Sequence, residues 1–446
     1  MAAELGTARL TVLSALCVGL LVAAGFRLLS PSGSGPVGNA TDSGPPRPAE
    51  ITAVMQLLGR HAGELMARDR TAWSADLDDA AAAADYRSRQ QAVFGNLAGV
   101  PLTTWRYVLV APVTDPAVIG PAAARLDGRA VVLHVDLQYA LALVDPAPTG
   151  KGLWLTAVRR PGGWRLAADT DAARLGGPSW QGPWDFGPLV ARTGPHTLVL
   201  GHPTHAGDLA TFGALVERSV PVVSRVWGNG WNEHVAVLIP DTPAEFDAVT
   251  GTAASSDETA IAAVAVADSV RTDPSGSAVV LGARIVLNPT ALGRLDSGGR
   301  RLVVQHELTH IATRADTSDQ MPSWLIEGFA DYVGNLDSGQ PVPMAARELA
   351  AEVRRGVLPA ALPSAADFDA GNSRLPQVYE EAWLACRLVA QRYGQPTLVR
   401  LYRQVSLAAR SDPATAAATG LGQVLHLTPS AFTAAWRADL TRELAP

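Results

Sequence analysis

A chain of 446 residues exceeds one ordinary domain and sets an expectation of two or three. With 48% hydrophobic and 17% charged residues the composition is globular, and a net charge of -6 over this length argues against nucleic acid binding. Two cysteines, Cys17 and Cys386, exclude a disulfide framework, and Cys386 reads as a small core residue.

The first element is the uncharged run from Leu10 to Phe26, with Arg9 before it and Arg27 after it. Extended to Leu29 it is about long enough to span a bilayer. The competing reading is a signal peptide cleaved near the small residues Val22 to Gly25; the anchor is preferred. Residues 30–48, rich in Pro, Gly and Ser, read as a flexible tether. Either reading places the rest of the chain outside the cytoplasm.

From Glu50 apolar residues recur at helical spacing in "ITAVMQLLGRHAGELMARD", and "YRSRQQAVFGNLAGV" is a second helical stretch. Strand-like runs follow: "TWRYVLVAPV", "AVVLHVDLQYALALV", "LWLTAVRR" and "WRLAAD". Helices followed by a strand meander predict a small α+β domain over 49–172. Its element order and its closing "GGWRLAAD" resemble the cone-shaped fold of nuclear transport factor two and ketosteroid isomerase relatives. His134 and Asp136 alternate on one strand and read as a satisfied or solvated pair. Residues 173–195 break periodicity and read as a linker; Trp180 and Trp184 within it suggest docking against a neighbouring domain.

The third region, 196–446, opens with strand, turn and long helix, continues through the strand-like "EHVAVLIP" and "ARIVLNP", and is helical after Pro341. It reads as a β-containing lobe followed by a helical lobe. His202 and His205 in "GHPTH" read as a polar turn, and His234 and His426 are similar.

The chemistry lies in "HELTH" and "WLIEGFADY". His306 and His310 fall one helical turn apart, so both rings reach one tetrahedral ion, while Glu307 flanks that face and can reach a bound water. Chance supplies such a match about 0.02 times in a chain of this composition. A catalytic zinc site needs a third protein ligand, and Glu327, on a second helix bracketed by Pro322 and Gly334, is the candidate. Gly328 removes bulk so that a facing helix can come close. Asp331, one turn later, can accept the second N–H of a ligating histidine.

These residues resemble the gluzincin metallopeptidases, in the peptidase MA-like branch, over about 196–446. The resemblance implies zinc bound by His306, His310 and Glu327, Glu307 as general base, Asp331 behind a histidine, and a peptide or protein substrate. It also implies that "ARIVLNP" is the strand edging the cleft and pairing with an extended substrate. The exopeptidase signature of the Gly-x-Met-Glu-Asn kind is missing before the metal helix, and Tyr379 is the candidate for the transition-state tyrosine. The expectation is a membrane-tethered, extracytoplasmic zinc metallopeptidase with a front accessory domain. The alternative is a catalytically inactive zinc-binding envelope protein that acts as a binding module.

Overall fold

The structure, a computed structural model, describes residues 13–14, 44–176, 179–251, 261–272, 278–409 and 412–445. The architecture is mixed α+β, and the described residues divide into two compact units, 44–190 and 191–446, with Leu13–Ser14 in the second. Most of the expected membrane segment lies outside the described residues; Leu13–Ser14 is described as a short strand beside Ile261. Among the described residues no helix is long and apolar enough to cross a membrane.

The front unit begins with α1 (Pro48–Met66), α2 (Arg70–Ala75) and α3 (Ala84–Asn96). Pro48 occupies the first turn of α1, and the Glu50 carboxylate accepts the Arg47 backbone N–H, which satisfies a donor the helix cannot. Val54, Leu57, Leu58, Ala62 and Leu65 form its buried stripe. Strand β1 (Leu102–Pro112) leads through α4 (Pro116–Leu126) to β2 (Ala130–Leu141), β3 (Thr149–Arg160) and β4 (Gly163–Ala168), an antiparallel sheet in chain order. The core joins α1 to the inner face of that sheet through Leu58, Val131, Leu133, Val135, Leu155 and Leu166.

Helix α4 corrects the reading of an uninterrupted meander. Its start signals are plain: Asp115 caps the Ala117 N–H and Pro116 follows. Trp180 and Trp184 find their ring partners within the front unit. Trp184 packs edge-on against Trp105 and Tyr139, and Trp180 stacks on Tyr139. His134 stacks on Trp154, and Asp136 accepts a hydrogen bond from Gln138.

The second unit begins within β5 (Val190–Thr193) and contains β6 (Thr197–Gly201), α5 (Ala206–Trp227), β7 (Val235–Ile239), α6 (Pro243–Thr250), β8 (Ile261–Val266) and β11 (Arg284–Leu287), with β9 (Ser269–Thr272) and β10 (Ala278–Leu281) as a separate hairpin. The main sheet runs Leu13–Ser14, β8, β11, β7, β6, β5. Strands β6, β7 and β11 are parallel and buried along their lengths, as a sheet covered on both faces requires, whereas β8 is antiparallel to β11.

Strand β11, the "RIVL" of the expected cleft edge, is therefore interior. Its two sides are hydrogen-bonded to β7 and β8, so no extended substrate can pair with it. Helices α7 (Ser297–Thr313), α8 (Ser323–Asn335), α9 (Arg347–Arg354), α10 (Leu375–Tyr393), α11 (Gln395–Ala408), α12 (Pro413–Gly420) and α13 (Pro429–Leu444) follow. Gly394, at φ 88°, takes the left-handed turn that separates α10 from α11. His202 opens a short turn, and its Nε2 lies 3.0 Å from both Glu245 carboxylate oxygens in a buried pair.

Candidate metal centre

Helix α7 starts where the Asp296 carboxylate accepts the Gly299 N–H at 2.8 Å. From Val303 to Thr309 every residue is buried, because α7 lies against α5, α8 and β8. Two polar side chains lock α7 to α8. Gln305 Nε2 donates to the Val333 carbonyl at 2.9 Å, and the Arg301 guanidinium donates to the carbonyls of Gly334 and Leu336 at 3.3 and 3.1 Å. A cation on those terminal carbonyls also complements the negative end of α8. Neither residue was singled out in the sequence. The signal was their spacing from His306, at one position and at five positions before it.

On its other side α8 meets α10. A Cβ at Gly328 would collide with the Ala382 carbonyl and come within 3.0 Å of Cys386 Sγ. Only glycine permits this approach, which fixes the depth at which the neighbouring Glu327 sits. The aromatic cluster of Trp227, Phe329 and Tyr402 supports the same helix from α5 and α11.

The rings of His306 and His310 and the carboxylate of Glu327 converge. His306 Nε2 and His310 Nε2 are 2.9 Å apart, and Glu327 Oε2 lies 3.4 Å from the first and 3.5 Å from the second. A tetrahedral ion bound at about 2.0–2.1 Å would set three such atoms roughly 3.3 Å apart. Glu327 Oε2 is also buried with no hydrogen-bond donor. An orphaned anionic oxygen facing two ring nitrogens at this spacing fits a zinc ion, and the two-nitrogen, one-oxygen set fits its chemistry.

His306 Nδ1 donates to Asp331 Oδ1 at 2.7 Å, which directs the Nε2 lone pair toward Glu327. Burial alone would depress His306, but Asp331, Glu327 and Glu307 outweigh it and hold the imidazole well above its ordinary pKa. Burial likewise opposes ionisation of Glu327, yet the two histidines win and draw its carboxyl down to about 2. Burial pushes Asp331 up, with His306 opposing. The site thus favours positive charge at the point where the three atoms meet.

Glu307 is buried directly after His306, and its charge is among those acting on that ring. Tyr379, on α10, is buried with its ring 6.4 Å from the His306 ring and edge-on to Phe368. A hollow of about 200 Å³ is lined by Asp331, Tyr379, Glu380, Trp383, Arg301 and Glu348. His310, the more exposed ligand candidate, lines a smaller hollow with Ala265, Val266 and Ala267 at the end of β8.

No family model matches the chain, and no curated protein matches it. Among solved structures, the chain is similar to a variant M1 zinc metallopeptidase from Deinococcus radiodurans, at 15% identity and TM-score 0.34, with 63% of this chain and 58% of that chain covered. A two-domain M1 zinc metallopeptidase variant bound to L-tryptophan gives 16% identity and TM-score 0.33, covering 65% and 60%. The chain therefore spans less than two thirds of the length of these structures.

Proposed function

We propose that the protein is a zinc-dependent metallopeptidase that hydrolyses peptide bonds, with His306, His310 and Glu327 holding the ion. The observation that carries this reading is the convergence of those three ligand atoms around one point, with Glu327 Oε2 buried and without a donor. A zinc ion there would supply Lewis acidity to a scissile carbonyl and lower the pKa of a water. Glu307 takes a proton from the attacking water as its oxygen adds to the carbonyl carbon. It then gives that proton to the amine nitrogen as the C–N bond breaks, leaving a carboxylic acid and an amine, which then exchange a proton to become carboxylate and ammonium. Asp331 holds the His306 ring in the tautomer a ligand needs. Tyr379, packed beside His306, is the group to donate to the oxygen on which negative charge develops.

Because β11 is interior, the substrate backbone runs along the end of β8, where the small side chains of Ala265 and Ala267 lie beside His310. The uncharged run from Leu10 to Phe26 supports tethering at a membrane with both folded units outside the cytoplasm, and the front unit serves as an accessory domain. The test is a cleavage profile on a mixed peptide library with and without a chelator. Chelator-sensitive cleavage of peptide bonds supports the reading. A zinc-loaded protein that cleaves none would leave a binding module in its place.

A further inference from the structure

The front unit carries a second convergence of the same residue types. His61 and Glu64, three apart on α1, share a face, and Asp76 reaches them from the residue after α2. One ligand atom from each lies within 4.8 Å of the others, and His61 Nδ1 is 3.7 Å from Asp76 Oδ2. The His61 side chain is 1% exposed and neither of its ring nitrogens has a hydrogen-bond partner. Glu64 Oε2 and Asp76 Oδ2 are likewise buried and without donors. Buried polar atoms left unmet are a large penalty for a fold to carry.

Arg60 does not meet them. Its guanidinium donates to Asp76 Oδ1 at 2.5 and 3.2 Å and lies 3.7 Å from Glu64 Oε1, from a half-exposed position. The cation takes the outer oxygen of each carboxylate and leaves the inner one. The His61 ring is held in place by stacking on Trp73 at 3.4 Å between centroids, and Trp73 in turn donates from Nε1 to the Gln90 carbonyl. Asp76 is anchored as firmly: its carbonyl accepts the Leu166 N–H, and the Asp78 N–H donates to the Leu166 carbonyl, which fastens this turn to β4. Ligand atoms fixed this well need only small rotations to close on an ion about 2.1 Å from each.

We propose that His61, Glu64 and Asp76 bind a divalent transition-metal ion, zinc by the donor set of one imidazole and two carboxylates, which clamps α1 to the edge of the front sheet. Imidazole disfavours magnesium and calcium, and the carboxylates disfavour the softest ions. Glu64 is 14% exposed and supplies the route by which the ion enters and a water completes the shell. The role is structural, since it joins a helix to a sheet and adjoins no hydrolytic base.

The test is zinc per chain in the full-length protein, stripped with a chelator, reloaded with excess zinc and desalted. Two ions are expected for the parent, and one each for Glu64→Gln and Glu327→Ala. A Glu64→Gln protein that holds as much zinc as its parent overturns the front site. If Glu64→Gln loses one ion and Glu327→Ala loses none, the front site stands and the peptidase ligand set fails. Should Glu64→Gln misfold, hydrogen exchange on Glu327→Ala decides: zinc should slow the amides around 60–77 at least tenfold, and unchanged exchange overturns the proposal.

Discussion

Two clusters in this chain pair imidazole with carboxylate, and they differ in what surrounds them. In the second unit, two histidines four apart on α7 meet Glu327 from a separate helix, and the charges that act most strongly on His306 are further carboxylates. In the front unit one histidine and one glutamate sit on α1, the second acid arrives from a turn, and Arg60 already neutralises part of the charge. The first arrangement concentrates negative potential, with a potential base beside the ligand atoms. The second balances charge and ties backbone to backbone. Similar side chains thus stand in different electrostatic settings, according to which charges and helices lie behind them.

The contrast can be broken at the ligands. Glu327→Ala should lower zinc affinity by more than 100-fold, beyond the effect of any residue acting through a ligand, in a competitive chelator titration. Asp331→Asn should weaken affinity or activity by roughly 10 to 100-fold, because the His306 ring loses the acceptor that sets its tautomer. Gly328→Ala should destabilise by about 1–3 kcal/mol in chemical denaturation, since the added methyl meets the Ala382 backbone.

A smaller effect lies beside the site. Burial and the neighbouring Glu348 push the Glu380 carboxyl up from 4.5 to about 9, against the Leu349 N–H that donates to it. The folded chain then keeps a proton that the unfolded chain releases. Stability should fall as pH rises from about 4.5 toward about 9, and Glu380→Gln should flatten that slope in melts across pH.

The second-unit cluster was legible because helical period alone places His306 and His310 together, and Glu327 lies on a helix with clear ends. The front cluster was not, since Asp76 meets His61 only once α2 has turned back and Leu166 has paired with that turn. Strand β11 shows the same limit. Its apolar run announces a strand, but whether a strand is central or at an edge depends on partners distant in sequence, here β7 and β8. Arg301 and Gln305 looked like ordinary polar helix positions, and only the approach of α8 gives them carbonyls to hold. Helix α4 lies between two strong strand signals, and its Asp–Pro start is the one local sign of it.

The most direct test of the central claim compares Glu307→Gln with its parent for zinc content and for turnover of one cleavable peptide. Gln is nearly isosteric and cannot accept a proton from water. Unchanged zinc and a rate lower by about 10² to 10⁴ are expected. Parent-like turnover in a zinc-loaded Glu307→Gln protein would contradict the role of Glu307 as base.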